Sequence, residues 1–373
     1  MFILLQGRVY NMQSLRLIVF EMNKQITSLN FIIITLIFVI FSLMQMGEIF
    51  HYPVKNDKDI IYLKERGGDV RDCLYIKSSP QELKNNSINY LTQIIEKNQM
   101  EENDANIFRN LILQMEKENL SFDEAYETLS KENSALIPWL DACKNQFGEK
   151  VGTVDEVNNN IKTILVNEGY NTIFSEKYVT YIQLISAFLI LPLFLGLITK
   201  DINCNISEIV YVQPISSVKY LLSKYIGCLI SLLTMLYVLG GSMNFYLAHK
   251  FKISGWQGNY NGFLGYYIIF VVPLVIFLSS FIVFLVLLLR KTIAVFPVYI
   301  LYIIFNATQG VFLGHNTSNE IYKCIIRLIS ENPDTNFIIF NRIFYLILSV
   351  IFIICSCILY KNSRKNPRRA ITL

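Results

Sequence analysis

The chain has 373 residues, of which 53% are hydrophobic and only 17% charged, with a mean hydropathy of +0.40; soluble domains carry about 25% charged residues. That balance excludes a disordered chain, a collagenous fibre, a small disulfide scaffold and an ordinary soluble enzyme, and a formal charge of +4 is too small to point to nucleic acid. The apolar excess comes in blocks rather than at helical or strand period. The predicted fold class is therefore an all-α membrane protein: six transmembrane helices with a mainly helical extracytoplasmic domain between the first and second.

Residues 1–28 are expected to form a cytoplasmic or interfacial N-terminus. Within it, Met12–Lys24 sets Leu15, Leu17, Ile18, Val19 and Met22 among Gln13, Arg16 and Lys24, the pattern of an amphipathic helix on the inner leaflet or of a loose leader. Leu29–Phe50 is too long for a signal-peptide core and no small-x-small cleavage pattern follows, so it is expected to persist as the first span, 29–50. Residues 51–178 then form one long excursion with 15 Lys+Arg against 22 Asp+Glu. Helix-start signals recur there: Ser79-Pro80-Gln81-Glu82, Ser121-Phe122-Asp123-Glu124 and Thr153-Val154-Asp155-Glu156 each place a capping hydroxyl three residues before a glutamate. Ile107, Leu111 and Met115 share one helical face, and Gly169 reads as a helix stop. Cys73 and Cys143, two of seven cysteines, lie in this segment, where an oxidising exterior permits a disulfide that spacing alone cannot establish.

Five further apolar stretches lie in 179–360: Val179–Ile198, Ile226–Ala248, Phe263–Leu289, Ile293–Leu313 and Ile338–Tyr360. Only Arg290, Lys291 and Thr292 separate the fourth and fifth spans of the chain, which demands a tight turn. Pro192, Pro273 and Pro297 fall within spans and predict kinks. In the fifth span Tyr299, Tyr302, Asn306 and Gln309 recur at helical spacing on one face; the stripe could line a pathway, form a dimer seam, or supply ordinary interhelical hydrogen bonds. Thirteen basic residues against Glu21, Asp201 and Glu208 fall on one side of this layout, five of them in the tail 361–373. The positive-inside rule then puts both termini in the cytoplasm, with Arg342 just inside the last span and able to snorkel outward.

Chemistry-bearing motifs are scarce. There is no Gly-x-x-x-x-Gly-Lys-Ser/Thr loop and no His-Glu-x-x-His; the three histidines, His51, His249 and His315, are dispersed. Gly240-Gly241-Ser242 with His249 could suggest an intramembrane serine hydrolase, but close packing by small residues is the stronger reading. Glu101-Glu102 has no visible partner for acid–base work. No enzyme and no metal site are expected.

The connector 199–225 is the most informative stretch. Asn205-Ile206-Ser207-Glu208 can cap a short amphipathic helix that runs to Val212 and stops before Pro214; Ser216 or Ser217 can cap the next helix, which carries Lys219, Tyr220 and Lys224. Asp201, Glu208, Pro214-Ile215-Ser216, Tyr220, Lys224 and Gly227 together resemble the loop of ABC type-2 exporter permeases, in which an acidic residue, Pro-x-Ser and Tyr-x-x-x-Lys-x-x-Gly join the second and third spans. Where that family usually has Gly-Thr, this chain has Ile206-Ser207. The motif covers about thirty residues; the resemblance in layout covers the whole chain. It implies a coupling helix that docks on a separate cytosolic ABC ATPase, with Asp201, Glu208, Tyr211, Pro214, Ser216 and Lys224 as coupling residues. It further implies a second permease copy or paralogue, a plasma-membrane location, and ATP and Mg engaged only through the partner. The other reading is a membrane-anchored receptor or assembly protein whose outer domain binds a ligand or wall component. The Ile-, Asn- and Lys-rich composition suggests an AT-rich bacterial genome.

Overall fold

The computed structural model describes residues 15–66, 73–97, 101–118, 120–203, 215–307, 325–326 and 335–365. They divide into two compact units, Met1–Phe50 with Leu165–Leu373, and His51–Ile164.

The first unit is a helical bundle. Helix α1 (15–26) gives way at Thr27-Ser28 to α2 (Leu29–Phe50). The break is local chemistry: Ser28 Oγ donates to Gln25 O at 2.7 Å and accepts from Phe31 N at 3.3 Å, so one hydroxyl closes the first helix and caps the second. Three long helices and one shorter one complete the bundle beside α2, together with α13. They are α9 (Tyr170–Asn203), α10 (Ser217–Ile253), α11 (Phe263–Leu289), α12 (Thr292–Ala307) and α13 (Thr335–Lys365). Helices α2, α9, α10, α11 and α13 are long and apolar enough to cross a membrane. Helix α12 is shorter, and the rest of the expected fifth span beyond Ala307 lies outside the described residues.

Helix α11 is the hub, packed on α13, α9 and α12, while α2 lies on α9 and α10 on α13. Phe277, Phe281 and Phe352 stack where α11 meets α13, with Tyr302 of α12 against the same rings. Outward faces stay apolar, as with Leu36, Leu301 and Val350, which lipid tolerates as well as a protein interior does. A π-helical turn, Tyr267–Val271, precedes Pro273 in α11, placing a widened turn just ahead of the residue that lacks an N–H. Arg290 closes α11 in the left-handed conformation (φ 58°), its N–H on Val286 O at 3.0 Å, and α12 starts at Thr292. The three-residue spacer thus folds as the tight turn it had to be.

The second unit comprises α3 (Asp57–Arg66), α4 (Pro80–Glu96), α5 (Glu102–Lys117), α6 (Phe122–Glu132), α7 (Ile137–Phe147) and most of α8 (Val154–Glu168). A two-stranded antiparallel ribbon pairs β1 (Tyr75–Lys77) with β2 (Glu149–Val151). All three capping boxes form: Ser79 with Glu82, Ser121 with Glu124 and Thr153 with Glu156. Leu91, Phe108, Met115, Ala125 and Leu140 are buried in one core, each large apolar side chain worth about 1.5–3 kcal/mol. This unit runs to Ile164, within α8; Gly169 (φ 78°) stops that helix and the next begins at Tyr170. Cys143 lies in the core and Cys73 is buried elsewhere in the unit; no disulfide joins them here. Burial pushes the Cys143 thiol up to about 11.

Candidate functional site

The described parts of the connector include the last turn of α9, to Asn203, and the start of α10, from Ser217. Ser216 adopts the extended conformation of an N-cap (φ −63°, ψ 142°), and its Oγ accepts from Lys219 N at 3.3 Å. The serine of Pro-x-Ser is thus the residue that starts α10. Tyr220, Lys224 and Gly227 follow at intervals of four and three and share a face. The Tyr220 ring stacks on Tyr360 of α13, centroids 6.3 Å apart. Lys224 is 3% exposed; its Nζ donates to Leu197 O at 3.4 Å and sits 5.0 Å from the Tyr220 ring centre. This lysine, counted among the cytoplasmic basic residues, is folded against the last turns of α9.

Gly227 explains how α1 is held. A Cβ there would lie 3.0 Å from Glu21 Cβ, 3.2 Å from Ile18 O and 3.2 Å from Met22 N. The backbones of α1 and α10 approach so closely that only glycine fits without displacement. Glu21 is consequently 6% exposed, with Lys24 Nζ 3.8 Å from its carboxylate. One side of α1 rests on the bundle while Leu15, Val19 and Phe20 face outward.

Between α1, the start of α2, the end of α9 and Lys224 of α10 lies a cavity of about 380 Å³. Lys24, Lys200 and Lys224 line it with Glu21, and Gln25, Ser28, Asn30 and Thr199 add neutral polar groups. Three lysines against one glutamate leave two formal positive charges. Leu29, Leu193 and Leu197 form its apolar walls. Chemically this is a place to hold an anionic group, beside the connector's two anchor points.

The other residues singled out by sequence are placed as follows. Glu208, Tyr211, Pro214 and Gln309 lie outside the described residues; Asp201 is helical in the last turn of α9. In the stripe of α12, Tyr299 is fully buried and its Oη donates to Ala187 O of α9 at 2.5 Å. Asn306 is 1% exposed; its Oδ1 accepts from Ile325 N at 3.1 Å. Tyr299 thus bonds across to a neighbouring helix, whereas Asn306 bonds the non-helical Ile325 and, through Nδ2, Tyr302 O of its own helix at 3.4 Å. Arg342, long enough to snorkel outward, is 4% exposed, donating from Nη1 to Ile325 O at 2.6 Å and lying over the Phe270 ring at 5.2 Å. A carbonyl and an aromatic face do part of what water would have done. Gly240 packs against Phe263 and Tyr178, and Ser242 Oγ donates to Leu239 O of its own helix at 2.9 Å. His51 Nδ1 is 3.1 Å from Asp59 Oδ1, in the second unit. Among the described residues no group of three His, Cys, Asp or Glu could hold a metal ion.

One ion pair was not foreseen. Lys177 Nζ of α9 meets Glu48 Oε2 of α2 at 2.8 Å, with side-chain exposures of 12% and 8%. An acid near the end of an apolar span was the available signal, since such a charge requires a partner. No family model, curated protein or solved structure matches this chain.

Proposed function

We propose that this chain is the membrane-spanning permease subunit of an ATP-driven ABC exporter. In this reading it crosses the plasma membrane six times, with both termini cytoplasmic and residues 51–178 outside. The connector 199–225 docks on a separate ABC ATPase, and a second permease copy or paralogue completes the assembly. Closure of the ATPases levers the connector and shifts the spans between inward- and outward-facing states, a population shift driven by differential binding.

The observation that carries the reading is the build of the connector's exit. Ser216 caps α10, Tyr220 rests on Tyr360 of α13, Lys224 folds onto Leu197 of α9, and Gly227 admits α1. Ser216 starts α10, and the other three motif positions tie its base to three other helices, so a push on the connector is distributed to the bundle instead of being absorbed locally. In this reading ATP and Mg are engaged by the partner, in keeping with a sequence that carries no Gly-x-x-x-x-Gly-Lys-Ser/Thr loop.

The test is purification in mild detergent from the native host, asking which subunit accompanies the chain. An ATP-hydrolysing subunit is expected, and Glu208→Lys is expected to abolish stimulation of its ATPase by the permease while membrane insertion is unchanged. Undiminished stimulation in that variant removes Glu208 from the mechanism. Recovery of a wall component or ligand on the 51–178 segment, with no ATPase, would favour the receptor reading.

A further inference from the structure

We infer that the cavity between α1, α2, α9 and α10 binds the phosphate headgroup of an anionic phospholipid from the adjoining leaflet. The inference rests on the cavity and not on the exporter reading.

Size is the first argument. At about 380 Å³ the cavity falls in the range of small-molecule sites, roughly 300–1,000 Å³. It suits a glycerophosphate-sized group and is too small for another helix.

Charge is the second. Lys24, Lys200 and Lys224 converge on the cavity against Glu21 alone, and these cations come from three different helices, α1, α9 and α10. A solvated charged face would string its lysines along one element; here the bundle brings them together. Gln25 and Asn30 add amide N–H groups that phosphate oxygens can accept from.

The third argument selects a lipid over a free anion. Leu29 lines the cavity and is itself 70% exposed, and Ile32 and Ile33 continue that exposed apolar face along α2. A headgroup in the cavity would therefore have its acyl chains running down a surface already suited to lipid. Basic pockets between spans on the cytoplasmic side hold anionic headgroups by this combination. The site sits where α1 breaks into α2 at Ser28, so an occupant would brace α1 against the bundle next to the connector.

The experiment uses the full chain in mild detergent and native mass spectrometry, with phosphatidylglycerol, phosphatidylcholine and inorganic phosphate as probes. Phosphatidylglycerol is expected to be retained over phosphatidylcholine. Lys24→Gln and Lys200→Gln, both at partly or fully exposed positions, are each expected to reduce that retention about fivefold. Glu21→Gln, near-isosteric in the contact with Gly227, is expected to raise it by a similar factor, a gain that damage to the fold cannot mimic. Equal retention of the two lipids, or no response to the lysine and glutamate substitutions, overturns the site. Displacement of phosphatidylglycerol by excess inorganic phosphate alone overturns the lipid assignment and makes the ligand a soluble anion.

Discussion

Adjacent glycines in α10 give a controlled measurement of packing. A Cβ at Gly240 would sit 2.4 Å from Phe263 Cζ and 2.7 Å from Tyr178 Cε1, whereas a Cβ at Gly241 would meet nothing within 4 Å. Phe263 is 2% exposed and Tyr178 1%, and their rings contact each other at 5.3 Å, so neither can swing aside freely. Glycine to alanine gains about 1 kcal/mol of helix propensity at either position. At Gly240→Ala, overpacking a closed core costs about 1–3 kcal/mol against that gain. The propensity contribution cancels between the variants, even if the denatured reference retains helix, leaving Gly240→Ala less stable than Gly241→Ala by about 1–3 kcal/mol. Equilibrium unfolding of both variants in the same mild detergent reads the difference. Equal stabilities would mean that α10 does not lie against Phe263 and Tyr178 as described.

Three further outcomes are expected. Glu48→Gln leaves Lys177 buried without its partner and should cost about 3–5 kcal/mol, while the exchange Glu48→Lys with Lys177→Glu should recover part of it; a double-mutant cycle in detergent unfolding checks both. Lys150 and the Ser79 cap hold the Glu82 carboxyl down to about 2 from 4.5. Because that value is depressed, the associated stability is present above about pH 4.5 and disappears as pH falls toward 2, so in Glu82→Gln the acid sensitivity of hydrogen exchange in α4 should flatten across that window. With its thiol near 11 and fully buried, Cys143 should react with maleimide at neutral pH only when the second unit opens, so native labelling should be far slower than labelling in denaturant.

The legible parts of the sequence were those governed by local rules. Leu29–Phe50 and Phe263–Leu289 have the bounds that apolar run length predicts, and the three capping boxes and the Gly169 stop lie where their residues put them. Helices α9 and α10 instead outrun their apolar cores, because polar side chains at their ends found partners: Lys177 found Glu48, and Lys224 found Leu197 O. Such partners are distant in sequence and leave no periodic trace. The β1–β2 ribbon escaped for the same reason, three residues pairing with three more than seventy positions away. At the site, the motif spacing identified Ser216, Tyr220, Lys224 and Gly227 as a group. What it could not reveal was that α1 docks on Gly227, or that Lys24, Lys200 and Lys224 border a single cavity.

Helix α10 runs unbroken for 37 residues and contains no proline. At about 1.5 Å per residue it is a rod some 55 Å long, well beyond the roughly 30 Å of hydrocarbon it would cross. One end abuts Ser216; near the other, Lys250 Nζ grips the Phe50 carbonyl that ends α2. A tilt of about 5° at one tip of such a rod would carry the opposite tip about 5 Å sideways. Its neighbour α9 has Pro192 in mid-course, where a missing hydrogen bond lets the axis flex. The pair therefore sets a long proline-free helix beside one interrupted by proline, so a displacement at the base of α10 would reach its far end with less bending than one entering α9.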